Sequence, residues 1–178
     1  MADVNDVLAA NRAAVLDLLA AAEKSATTWT TPPAPGKWSA SQIVEHVARG
    51  LEEGANIVSG APTIPMIPAF LRPLARLYIN RVLKKGVFPK GWKAHKTMDP
   101  VGGPATPAEA RVRLEEAHAR FDQECRRRAA SGQQVLSADG TRSVEDFVRF
   151  NTLHTRHHCK QMPGANLGTD TEFVRAIG

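Results

Sequence analysis

Two histidines four residues apart lie on what the residue spacing predicts to be the buried face of a helix. The positions that recur at steps of three and four, and therefore share one face, are Val144, Phe147, Asn151, His154, His158 and Gln161. This face begins with apolar residues and continues with four polar ones, and each buried polar group without a partner costs about 1–3 kcal/mol. A metal ion is one such partner, because histidines at i and i+4 can bind the same ion. We therefore predict His154 and His158 as metal ligands, with Asn151 and Gln161 supporting them or lining the pocket.

The second predicted helix provides a third histidine. His46 stands at the edge of an apolar side that contains Ile43, Val47 and Gly50. Three histidine ligands leave a coordination position open, as in catalytic rather than purely structural zinc sites. The alternative interpretation is that these are hydrogen-bonded core histidines without a metal.

The remaining histidines and cysteines fit the site less well. His157 points about 100° away from His158, so we expect it beside the pocket or on the surface. Cys159 turns off the histidine face, and Cys125 is expected to be a small core residue. Thr155 and His157 stand where zincins and inverzincins need glutamate. One Glu-x-x-His is too little for a di-iron bundle, and phosphate-loop and Gly-x-Ser-x-Gly motifs are missing from the sequence.

Four long segments have the apolar spacing of helices, and they predict an all-α fold. They cover about 5–24, 39–58, 107–131 and 143–162. Ser39, Thr106 and Ser143 stand at helix starts as residues that cap backbone N–H groups. The predicted architecture is a four-helix bundle, formed as a single domain over residues 1–178, with a loosely docked tail at 164–178.

A long crossover joins the second and third helices of this bundle. Residues 61–106 are rich in proline and glycine, and connections of this length often carry function. Within them, Phe70–Lys85 has the pattern of an extra amphipathic helix. We expect it to pack on the bundle through its apolar residues, which are Leu71, Leu74, Leu77, Tyr78 and Val82.

The crossover also holds the positive charge of the chain. No acidic residue lies between Glu53 and Asp99, whereas this segment contains Arg72, Arg76, Arg81, Lys84, Lys85, Lys90, Lys93 and Lys96. Arg72, Arg76, Arg81 and Lys84 are candidates for binding an anion. An anionic ligand, a membrane surface or a solvated face would each explain the charge. Nucleic acid is not expected, because few aromatic residues accompany the cations.

Composition sets broad limits on the class of protein. The chain has 178 residues, of which 43% are hydrophobic, enough for a sizeable core. No apolar run is long enough to span a bilayer, and we see no secretion signal, so a cytoplasmic location is expected. Two cysteines are too few for a disulfide framework. Whether the chain forms a homodimer stays open.

Two of these motifs resemble those of a known superfamily. The stretch from Lys37 to His46 resembles the W-S-x-x-x-[IL]-x-x-H start of the second helix in the DinB/YfiT-like superfamily, and His154 to Gln161 resembles its H-x-x-x-H helix. The resemblance covers about 5–60 and 107–162, whereas 61–100 is longer and more basic than the family's plain crossover. It implies a four-helix bundle with nickel, zinc or a similar divalent ion on His46, His154 and His158. Characterised relatives include S-transferases and isomerases that use mycothiol, bacillithiol or glutathione.

Three hypotheses follow for the function. The first is a metal-dependent enzyme, such as an S-transferase that activates a low-molecular-weight thiol towards a small-molecule substrate. The second is a non-catalytic module, either a metal-binding stress-response protein or one that docks on an anionic partner through the basic segment. The third is a structural metal site without turnover.

Overall fold

The protein is a four-helix bundle with a crossover helix on its side. A computed structural model describes residues 3–88 and 96–162. The bundle helices are α1 (Val4–Lys24), α2 (Ala40–Ser59), α4 (Pro107–Ala130) and α5 (Val144–Cys159), and the crossover carries α3 (Arg72–Lys85). α2 packs mainly on α4, and α1 packs mainly on α5. The predicted all-α fold with an extra helix in the crossover is confirmed.

The predicted helix starts are also confirmed in atomic detail. Ser39 and Gln42 form a reciprocal capping box, and Thr106 and Ser143 each accept a hydrogen bond from a backbone N–H of the first turn. The apolar residues of α4 at steps of three and four are fully buried, with Leu114 and Phe121 at 0% exposure. Gly54 on α2 faces Phe121, and a Cβ there would lie 2.9 Å from the ring. The close contact of α2 with α4 therefore requires glycine at this position.

The sequence did not predict a short hairpin between α4 and α5. Its strands are β1 (Val135–Ser137) and β2 (Gly140–Arg142), paired antiparallel with Ser137 opposite Gly140. The buried Arg142 donates to Asp139 at 2.7 Å and also donates to Asn80 on α3. Hydrogen bonds from Arg142 and Ser137 outweigh the burial of Asp139 and lower the pKa of that carboxyl. The hairpin thus holds α3 in place through Asn80.

Hydrogen bonds attach the crossover to α2 at both ends. At its start, the buried Glu53 accepts from the backbone N–H groups of Thr63 and Ile64. Burial alone would raise the pKa of Glu53, but these bonds and those from the side chains of Thr63 and Asn56 lower it. At its end, the Pro104 carbonyl accepts from the Ser41 hydroxyl at 2.7 Å. The segment 96–104 consequently lies along α2.

The crossover helix packs on α5 as predicted, but through fewer of its apolar residues than expected. Val82 is buried at 1% exposure, as expected, but Leu74 and Leu77 point to solvent with 66% and 69% exposure. Leu71 is also exposed, at 40%, and Tyr78 is partly buried. Helical spacing identifies an apolar face, but it does not say whether the bundle covers that face. Lys90, Lys93 and the predicted tail 164–178 lie outside the described residues.

The predicted fourth helix is shorter than expected at its end. α5 stops at Cys159, and a turn carries the chain through Gln161 to Met162. Within the described residues, no helix is both long and apolar enough to cross a membrane.

Candidate metal centre

Three histidines from two helices meet at one end of the bundle. His46 comes from α2, and His154 and His158 come from successive turns of α5. The Nε2 atom of His154 lies 3.1 Å from Nε2 of His46 and 3.2 Å from Nε2 of His158. One ligand atom from each of the three lies within 4.8 Å of the others. The two helices thus direct the same ring nitrogen of each histidine to one point.

The other ring nitrogen of two histidines has a hydrogen-bond acceptor. Nδ1 of His46 donates to the Met98 carbonyl at 2.8 Å, and Nδ1 of His158 donates to Oε1 of Gln161 at 3.1 Å. A donating Nδ1–H leaves Nε2 with a lone pair, which is the form that binds a metal. The crossover and the turn after α5 therefore set the tautomers of His46 and His158.

His154 has room because a glycine faces it. A Cβ at position 50 would lie 3.3 Å from Cε1 of His154, which is tighter than ordinary van der Waals contact. Gly50 is one turn after His46 on α2, so the same helix that provides one ligand makes space for another. This role of Gly50 was not predicted, although its place on the apolar side of α2 was a usable signal.

The site favours neutral histidines. Burial, reinforced by repulsion from His46, lowers the pKa of His158 to about 3. Burial lowers the pKa of His154 well below its ordinary value, and His158 and His46 lower it further. The pKa of His46 is also lowered, mainly by burial, although the Met98 carbonyl and Asp99 oppose the shift. Neutral imidazoles with free lone pairs are the ligand form that divalent metals require.

Aromatic side chains surround the three rings. The ring centroid of Trp38 lies 4.6 Å from that of His46 and 5.8 Å from that of His158. The ring centroid of Phe88 lies 5.8 Å from that of His154, and Phe88 also contacts Phe150. These apolar rings limit the access of water to the histidines. No pattern in the sequence marks Phe88 for a role in the site, because it follows α3 and approaches α5 only in the folded chain.

The geometry matches a metal ion better than a hydrogen-bonded core. Ligand bonds of about 2.0–2.1 Å meeting at 90–109° place their nitrogens about 2.8–3.4 Å apart, a range that includes both observed Nε2 spacings. In a metal-free arrangement, the lone pairs of His46 and His158 both face Nε2 of His154. A single N–H on His154 can satisfy only one of them, and a lone pair would be left buried without a donor. The three histidines could therefore hold a divalent metal ion.

The structure places some of the other predicted site residues against the histidines and others apart from them. Gln161 joins the site, because its Oε1 contacts His158 and its Nε2 contacts Nε2 of His157 at 3.0 Å. His157 thus lies beside the ligands and not among them. Asn151 donates to the Phe147 carbonyl of its own helix, and none of its hydrogen bonds within the described residues reaches a histidine.

The candidate anion-binding residues lie on α3, away from these contacts. Arg72 donates to the Ile67 carbonyl, and Arg76 donates to the Thr141 carbonyl of the hairpin. Arg81 and Lys84 are exposed. Within the described residues, no hydrogen bond or ion pair links these four cations to the three histidines. The charged residues that act on His46 are instead Arg49 and Asp99.

Comparison with known proteins assigns the family. The family model described as the DinB superfamily matches residues 4–162. The chain belongs to the DinB superfamily. The match runs through all four bundle helices and the crossover, so the three histidines lie inside it. Neither the curated proteins nor the solved structures compared with this DinB chain contain a match.

The cysteines of this DinB protein do not take part in the metal centre. Both are buried, and the three-histidine cluster contains neither. Burial raises the pKa of Cys159 to about 11 and that of Cys125 further still. Neither side chain is therefore a thiolate near neutral pH, although Cys159 directly follows a predicted ligand in the sequence.

Proposed function

We propose that His46, His154 and His158 bind a divalent metal, nickel or zinc, through their Nε2 atoms. The observation that carries this proposal is the convergence of three Nε2 atoms at 3.1 and 3.2 Å spacing. The Met98 carbonyl and Gln161 hold His46 and His158 in the binding tautomer. Groups that orient ligands in this way are worth about 10–100-fold in metal affinity.

We propose further that the protein is a metal-dependent enzyme that acts on a low-molecular-weight thiol, as an S-transferase. A metal with an open position lowers the pKa of a bound thiol and so supplies a nucleophile at neutral pH. Within the described residues no fourth histidine, cysteine or carboxylate joins the three ligands. Because both cysteines are buried with raised pKa values, the reacting thiol has to come from a substrate.

The surrounding residues have matching roles in this proposal. Trp38 and Phe88 limit the access of water to the histidines, which strengthens the electrostatic interactions inside the site. Arg49 acts electrostatically on His46 and is held by Glu45 at 2.7 Å, and in this proposal it attracts the acidic group of a thiol or substrate. Their contribution would be to bind and orient the small molecule and to keep bulk water away.

Metal analysis of purified variants tests the first proposal. The wild-type protein should contain one equivalent of metal, and His46→Ala, His154→Ala and His158→Ala should each lose it. His157→Ala is the matched control, because His157 neighbours a ligand but contacts Gln161 instead. It should keep the metal. Full metal occupancy in any of the three ligand variants would remove that residue from the site.

Thiol binding tests the second proposal and separates it from a purely structural metal. Protein loaded with cobalt(II) should develop a thiolate-to-metal charge-transfer band when glutathione, mycothiol or bacillithiol is added. A structural site would show a large loss of thermal stability on metal removal but no band with any thiol. Saturating metal without a spectral response to these thiols would contradict the S-transferase proposal and leave the metal site intact.

A further inference from the structure

The crossover helix α3 presents large apolar side chains to solvent. Val82 is its one fully buried residue, whereas Leu74 and Leu77 are 66% and 69% exposed. In the turn just before α3, Phe70 is 79% exposed. Single exposed apolar residues are ordinary, but three within eight positions of one helical segment form a patch.

Cations share this face with the leucines. Arg81 follows Leu77 by four positions and Leu74 by seven, and Lys84 follows Leu77 by seven, so helical geometry places them together on the outward side. Both cations are exposed. Within residues 3–88 and 96–162, none of the salt bridges includes a residue of α3, and the sequence has no acidic residue from 54 to 98.

Contacts at three positions hold α3 in place on the protein. Val82 packs into the protein, Arg76 donates to the Thr141 carbonyl, and Asn80 accepts from the buried Arg142. The exposed apolar and cationic residues of α3 are therefore displayed by a fixed helix.

We propose that the outward face of α3, with Phe70, Leu74, Leu77, Arg81 and Lys84, docks on the surface of an anionic phospholipid membrane. Apolar side chains of an interfacial helix enter the boundary between headgroups and acyl chains, while arginine and lysine extend to the phosphates. Anionic lipid attracts basic residues near the surface, and the absence of acidic residues in this segment leaves that attraction unopposed. The protein would lie on the membrane without spanning it.

The combination of cations and apolar side chains favours a membrane over two other partners. A second copy of the chain, docked face to face, would bring Arg81 and Lys84 close to the same cations of its partner, which is repulsive. Nucleic acid would attract the cations but would leave Phe70, Leu74 and Leu77 in water, since binding to phosphates gains nothing from leucine. A membrane with anionic lipid uses both kinds of residue.

Co-sedimentation of the full chain with vesicles tests the proposal. We expect binding to phosphatidylcholine vesicles that contain phosphatidylglycerol, little binding to pure phosphatidylcholine, and weaker binding at high salt because salt screens the surface charge. Leu74→Gln with Leu77→Gln, and separately Arg81→Gln with Lys84→Gln, should each reduce the partition coefficient by about tenfold. Circular dichroism of each variant shows whether it is folded.

Matched pairs elsewhere on the surface serve as controls. Leu16 and Leu136 are also exposed, at 44% and 57%, and Leu16→Gln with Leu136→Gln should leave vesicle binding unchanged. Lys24→Gln with Lys37→Gln removes the same charge from exposed positions outside the face and should cause a smaller loss. Equal binding to neutral vesicles, or unchanged binding by both α3 variants, would overturn the proposal. So would a dimer in sedimentation equilibrium that the leucine variant dissociates, or tighter binding to an RNA oligonucleotide than to anionic vesicles.

Discussion

The histidine site and the outward face of α3 both differ from the usual pattern of burial. The site buries polar side chains, whereas the face of α3 exposes apolar ones. At the site, imidazoles that prefer water are withdrawn from it, with His46 at 3% and His158 at 6% exposure. On α3, Leu74 and Leu77 are left in water although burial would stabilise them. Buried polar groups and exposed apolar patches are the informative exceptions in a folded protein. These two exceptions are the regions for which we propose binding, of a metal ion in one case and of a membrane surface in the other.

The crossover contributes to both regions, but in different ways. Its final segment is fixed to α2 by hydrogen bonds and delivers the Met98 carbonyl to His46. Its helix contributes one fully buried residue and displays the rest of its apolar side. The final segment of the crossover thus supports the site, and its helix forms a separate surface.

Acid should destabilise the site region most, and this is the largest effect we expect. The pKa of His158 is about 3 in the folded protein and near 6.5 in the unfolded chain, so the unfolded state binds more protons between these values. The free energy of unfolding of the metal-free protein should therefore decrease as the pH is lowered. This residue alone should account for a loss of roughly 3 kcal/mol between pH 7 and pH 4. Urea unfolding with a chelator over this pH range measures it.

A variant isolates the histidine contribution from that of the carboxylates. Glu53 and Asp139 have lowered pKa values, and they too lose stabilising interactions in acid, but only at the acidic end of this range. His158→Gln should make the slope shallower over the whole range, most clearly between pH 6.5 and 4.5, where the carboxylates contribute little. An identical slope in the variant would contradict a buried neutral His158.

Two adjacent glycines test whether the final crossover segment positions the site. A Cβ on Gly103 would lie 2.4 Å from the Ser41 carbonyl oxygen, whereas a Cβ on Gly102 has nothing within 4 Å. Gly103→Ala should displace the segment and cost about 1–3 kcal/mol of unfolding free energy, as overpacking does. Because the Met98 carbonyl would move with it, metal affinity should fall by about tenfold. Competition with a chromogenic chelator measures that affinity.

Gly102→Ala is the matched control for this experiment. It changes the same residue type one position earlier and should alter neither the unfolding free energy nor the metal affinity. A loss of stability in Gly103→Ala without any change in metal affinity would show that the Met98 carbonyl does not depend on this segment for its position.

The sequence was sufficient to predict the helices and the three histidines that converge, and the reasons can be identified. Helix caps and apolar stripes are local patterns, and histidines at i and i+4 necessarily share a face. His46 could be paired with them because two adjacent bundle helices each had a histidine on or near the apolar side. The site therefore rests on side chains that the spacing could identify.

Other parts of the site had no signal of this kind. The Met98 carbonyl belongs to the backbone, so no residue type marks it, and Gly103 matters only because it lies against Ser41 in the folded chain. The outward leucines of α3 follow the same spacing as a buried face. Whether such a face meets the core depends on how the crossover passes over the hairpin, which is a long-range property of the fold.

Two substitutions on α3 distinguish its buried from its exposed residues, and the second gives the smallest effect we expect. Val82→Ala removes buried methyl groups at 1% exposure and should cost about 2 kcal/mol of unfolding free energy. Leu74→Ala, at 66% exposure on the same helix, should change stability by about 0.5 kcal/mol or less. Chemical denaturation of both variants measures the difference. A large loss for Leu74→Ala would mean that the bundle or another part of the chain covers this face, because a leucine surrounded by water has few contacts to lose.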